Sequence, residues 1–298
     1  MKHFAFSLVV LAYLGFLGVI NVLMFLPGNW MSAMGHFDFI YTGDTHNLIH
    51  ELVFALVIAT AAAGLASQLF KPKENFAGQL IALVVWVAMI ATAALTNNWV
   101  PQPLFIIFGG LTLIATILHP AGLGLFNWIR TAKVNKVLLT LVVIAVAPLF
   151  MFAATNINLQ TGGEGITIGI DIDHQGPAVH GGNPADNQEL SQDMGANDEH
   201  EDQEHAAQGH YRNMAAFSFI ILLVGLLASF RPRGWRLAAW VAGFLPIFLG
   251  TASIVLPNAE SSIGLVWSLA AIVWGIAFIA AAELTKEPLS TPGVDKGG

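Results

Sequence analysis

Residues 48–72 read LIHELVFALVIATAAAGLASQLFKP, and the fold is decided by how this stretch is read. From Leu48 to Phe70 it holds a single acidic residue, Glu51, and no basic one, then closes on Lys71 and Pro72. A helix rising 1.5 Å per residue needs about twenty apolar residues to cross a roughly 30 Å hydrocarbon core. The stretch meets that length, and the proline beyond it marks where a helix stops.

The same pattern recurs on either side: Phe4 to Leu26, Ala77 to Thr96, Val100 to Leu118, Val137 to Ala154, Met214 to Phe230, Leu237 to Leu256, and Ile263 to Ala282. Only 10% of residues are charged and 55% are hydrophobic, whereas a soluble domain carries roughly a quarter charged residues. The expectation is an all-α integral membrane protein with eight transmembrane helices and a long hydrophilic extracytoplasmic loop. The first run exceeds a typical signal-peptide core and is expected to be retained. There is no cysteine, which excludes disulfides, thiolate metal sites, iron–sulfur clusters and thiol nucleophiles.

Threading eight helices alternately places every one of the twelve basic residues except Arg212 on one side. By the positive-inside rule that side is the cytoplasm, so both termini are expected there, in the plasma (inner) membrane of the cell. Asp38, Asp44, Glu51, Glu260 and the acidic loop fall outside. No ionisable residue occupies the middle of a run, which argues against a proton pump or ion-coupled carrier.

The two halves share a layout. Phe70-Lys71-Pro72 ends the second run as Phe230-Arg231-Pro232 ends the sixth, and in that register His50 falls on His210. This predicts two tandem four-helix units: residues 1–130, and residues 131–285 including an outer loop over 156–208. A cytoplasmic tail, 286–298, follows. An even number of helices per unit makes the repeats parallel, related by an axis along the membrane normal. Within the loop, Ile166 to Asp173 alternates as a short strand would. Residues 175–208 have the composition of a disordered segment.

The reactive residues that cluster are histidines. All of the ten except His3 and His119 fall on the outer side. His46 and His50 stand one helical turn apart, a spacing that suits Zn²⁺ or Cu²⁺. His205 and His210 occupy the corresponding region of the second half. Asp44, Glu51 and Glu204 are candidate ligands or acceptors for the ring N–H groups. The function expected from this pattern is metal handling, sensing or delivery at the outer face, with copper or zinc bound by His46, His50, His205 and His210. A second reading makes His50 and His210 the axial ligands of a haem b in an electron carrier. A third is an accessory or assembly subunit, with the outer histidines merely solvated. No serine-hydrolase elbow, zinc-protease helix or nucleotide-binding loop occurs, and no catalytic residue is assigned. The expected partners are the lipid bilayer and other membrane or extracytoplasmic proteins. The basic loops follow from topology and call for no nucleic acid.

Overall fold

The computed structural model describes residues 2–24, 48–69, 71–99, 105–122, 124, 134–162 and 209–285. Among the described residues eight α-helices run in chain order: α1 (Lys2–Met24), α2 (Leu48–Ala66), α3 (Phe76–Thr96), α4 (Gly110–Leu118), α5 (Lys136–Gln160), α6 (His210–Ser229), α7 (Trp235–Val255) and α8 (Gly264–Leu284). A π-helical turn, Phe105–Gly109, leads into α4. Seven of the helices are long and apolar enough to cross a membrane, and Phe105–Leu118 is shorter among the described residues. The chain is therefore a multi-pass membrane protein by length and composition of its helices.

Burial ranks the helices. α6 lies at the centre, with 78% of its membrane window enclosed, while residues 2–19 of α1, at the rim, have 17%. α6 packs on α5 and α7 from its own half and on α2 and α3 from the other. Without a hydrophobic drive between helices in lipid, close approach depends on small residues. α2 and α3 cross at Gly64 and Gly78, where a Cβ on Gly64 would stand 2.5 Å from the Gly78 carbonyl oxygen. α7 and α8 cross at Gly243 and Gly275 in the same manner.

Side-chain contacts fix which ends lie together. The Phe6 ring meets the His119 ring edge-on at 5.2 Å, joining the start of α1 to the end of α4. The backbone N–H of Ala77 donates to the Arg233 carbonyl (2.9 Å), and that of Asn135 to the Ser229 carbonyl (2.8 Å). Arg231 Nη2 donates to the Thr285 carbonyl at 2.6 Å. Odd-numbered helices thus begin, and even-numbered helices finish, at one end, which carries Lys2, Lys71, Lys73, Lys136, Arg231, Arg233 and Arg236. His50, Asn98, Gln160, His210 and Glu260 mark the opposite end.

At the basic end His119, Gln68 and Gln79 are fully buried and form a chain of neutral polar groups that ends on Thr116. His119 Nε2 lies 3.0 Å from Gln68 Oε1, and the Ala121 N–H donates to His119 Nδ1 (3.2 Å). Gln68 Nε2 donates to Gln79 Oε1 (3.2 Å), and Gln79 Nε2 to Thr116 Oγ1 (2.7 Å). Burial holds the His119 imidazole below its usual range, with a Pro72 backbone hydrogen bond opposing.

Helix boundaries differ from the expectation in places; α2 ends at Ala66, short of Phe70. α5 continues through residues 156–160, which the sequence assigns to the outer loop, because Asn156 Nδ2 returns to the Phe152 carbonyl at 2.9 Å. α6 starts at His210 rather than Met214, since Gly209 in the left-handed region (φ 78°) turns the chain into it. The strand-like patch 166–173, the segment 175–208 and the tail 286–298 lie outside the described residues.

Candidate functional site

His50 is in the first turn of α2, and His210 opens α6. Both helices start at the same end and pack against each other, so the two imidazoles meet. Their rings stack with centroids 4.9 Å apart and planes inclined by 24°. Their exposures are 2% and 6%. The solvated reading of the outer histidines therefore fails for this pair: the tops of α2 and α6 face the bundle axis, not water.

A turn between α7 and α8 completes the cluster. Glu260 Oε2 lies 3.6 Å from His50 Nε2, with the Glu260 side chain 8% exposed. Ser261 Oγ lies 3.2 Å from the same nitrogen, and Ser261 takes a left-handed conformation (φ 61°). The Tyr211 hydroxyl donates to Glu260 Oε1, while the Tyr211 ring meets the His50 ring edge-on at 5.6 Å. Glu51, next to His50, is also buried. Two imidazoles and two carboxylates are withdrawn from water here. Such groups are buried only where partners or a ligand compensate them.

Of the sequence-predicted residues, the structure brings His50 and His210 together with Glu51 beside them. His46, His205, Asp44 and Glu204 lie outside the described residues. Among the described residues, no three His, Asp or Glu side chains already converge as a metal cage. Glu260, Tyr211 and Ser261 were not anticipated as site residues.

Arg212 was missed as well, and it is the largest fully buried side chain among the described residues. Its Nη1 donates to the Asn98 carbonyl (3.0 Å) and its Nη2 to Asn213 Oδ1 (2.6 Å). The guanidinium stands over the Phe105 ring at 4.9 Å. Its backbone N–H donates to Gln160 Oε1 at 2.9 Å. Asn98 follows the C-terminus of α3 and Gln160 ends α5, so the cation lies where two helix dipoles present their negative ends. The signal in the sequence was its exceptional position, the lone basic residue on the outer side.

No protein-family model, no curated protein and no solved structure matches the chain.

Proposed function

We propose that this membrane protein holds a transition-metal ion, copper or zinc, at the extracytoplasmic end of its bundle and handles, senses or delivers it. The observation that carries the reading is the contact between His50 and His210, from opposite halves of the chain, beside the Glu260 carboxylate. Imidazole and carboxylate donors without thiolates suit Zn²⁺ or Cu²⁺. His50 and His210 would supply nitrogen donors, and Glu260 or Glu51 an oxygen. His46, His205, Asp44 and Glu204 are the remaining candidate donors from the outer connections. Tyr211 and Ser261 would orient Glu260 and His50, as outer-sphere groups orient metal ligands. An ion bound there would be a Lewis acid or a transferable cargo.

The same reading places the basic end in the cytoplasm of a cell with this protein in its plasma membrane, with both termini inside. It also makes the two halves a tandem duplication. Supporting this, the equivalent positions His50 and His210 touch at one end, and at the other the start of α3 meets the α6–α7 turn, Ala77 N–H on the Arg233 carbonyl. A contact between equivalent positions, such as His50 with His210, is what a two-fold axis along the membrane normal would produce.

The haem alternative fits less well, because axial imidazoles present ring edges to an iron between them and these rings lie face to face. A structural reading has its own support. The Tyr211–Glu260–His50–Ser261 network ties α2, α6 and the α7–α8 turn together without any ligand.

Elemental analysis and an optical spectrum of detergent-purified protein decide among these. Copper or zinc retained by the wild type and lost in the His50→Ala/His210→Ala variant supports the metal site. A Soret band points to haem. Neither metal nor haem in correctly folded protein leaves the accessory role.

A further inference from the structure

A second buried polar feature lies deep in the first half, away from the histidine end. Tyr13, near the middle of α1, and Trp86, near the middle of α3, are 0% and 3% exposed. The Trp86 indole nitrogen neighbours the Tyr13 hydroxyl, yet neither polar atom closes a hydrogen bond of normal geometry among the described residues. Even if the indole donated to the phenol, the phenolic O–H would still lack an acceptor among the described residues. Two such donors at mid-helix depth are costly, since hydrocarbon offers no replacement for water. An unsatisfied polar group inside a membrane bundle is a sign of a ligand.

Aromatic rings surround the donors. Phe108 lies parallel to Trp86 (6.2 Å, 5°) and edge-on to Tyr13 (4.8 Å). Phe16 adjoins Phe108 at 5.6 Å and is 38% exposed, so the cluster reaches from the lipid-facing surface to the buried donors. Phe108 belongs to the π-helical turn, a distortion that recurs at functional sites in helices. The wall between donors and lipid is α1, the least enclosed helix of the bundle.

We propose that Tyr13, Trp86 and Phe108 form a binding site for a flat, lipophilic carbonyl compound of the quinone class, entering from the bilayer beside α1. Tyr13 O–H and Trp86 N–H donate to its carbonyl oxygen, and its ring lies against Phe108. The site is independent of the histidine cluster and of any metal there.

The test is equilibrium binding of decylubiquinone to the full chain in detergent micelles, with decylbenzene as a carbonyl-free control. The variants Tyr13→Phe and Trp86→Phe keep the aromatic packing and remove one donor each. Saturable binding by the wild type, weakened about tenfold in Tyr13→Phe, is the expected result; that factor corresponds to about 1.4 kcal/mol. Saturable binding unchanged in both variants would overturn the proposal, as would equal binding of decylbenzene. So would the absence of saturable binding in the wild type. Folding of each variant is checked by its melting temperature, so a misfolded protein is not read as loss of the site.

Discussion

Replacing Tyr211 with phenylalanine isolates one bond in the histidine-end cluster. The ring stays edge-on to His50 at 5.6 Å, so no cavity forms and only the hydroxyl is removed. What is lost is the donation to Glu260 Oε1. A hydrogen bond to a charged group contributes about 1.5–3 kcal/mol. At 8% side-chain exposure, water cannot readily take its place on the carboxylate. Removing the hydroxyl also spares its own desolvation, which trims the upper end, so the expected destabilisation is about 2 kcal/mol. Reversible unfolding in mixed micelles, titrated with a denaturing detergent and followed by tryptophan fluorescence, measures it. In a cycle with Glu260→Gln, the two changes should couple by about 1 kcal/mol. A Tyr211→Phe protein within about 0.5 kcal/mol of the wild type would refute the reasoning. Glu260 would then be hydrated, and the cluster would not be a built network.

Arg212→Met should cost about 2 kcal/mol, because it strands the Asn98 carbonyl and the Asn213 amide but leaves no unpaired charge. Arg212→Lys should not restore the loss, since an ammonium lacks the fork that spans both acceptors; a methionine variant as stable as wild type in the same unfolding assay would sink this account. Gly64→Ala should force α2 from α3 and destabilise by about 1–3 kcal/mol, with a Gly243→Ala change at the α7–α8 crossing adding independently, both read as shifts in the unfolding midpoint. For His119 the folded pKa is lowered, so between that value and the ordinary 6.5 the unfolded chain binds the proton more readily. Stability should therefore fall as pH drops through that window, by at most about 1.4 kcal/mol per pH unit, and His119→Gln should flatten the slope in unfolding curves taken across mildly acidic pH.

The membrane spans were legible because a run such as Leu48 to Phe70 has no other stable home, and the Lys/Arg asymmetry set the threading. The equivalence of His50 and His210 was readable from the matched Phe70-Lys71-Pro72 and Phe230-Arg231-Pro232 stops, but their stacking was not. Glu260 and Ser261 were not, because a short turn far along the chain delivers them and nothing local marks its position over His50. Gln68 and Gln79 escaped for a different reason. Hydropathy averages a single amide into an apolar run, although Gln79 inside α3 was a visible polar intruder. The start of α6 and the end of α5 were misplaced because polarity was read as loop, whereas Gln160 and the residues from His210 to Asn213 find partners inside the bundle.

The two ends of the bundle bury polar groups in different ways, and the difference bears on function. At the basic end, His119, Gln68, Gln79 and Thr116 are neutral, and each donates to or accepts from the next. That arrangement is enough to lock three helices in register. If the opposite end served only the same purpose, neutral groups would do it at lower cost. Instead it withdraws Glu51, Glu260, Arg212 and two imidazoles from water, and charge buried in pairs is seldom more stabilising than apolar packing. Titratable groups gathered where stability does not require them are a mark of a functional site. The histidine end, rather than the basic end, is accordingly where ligand chemistry is to be sought.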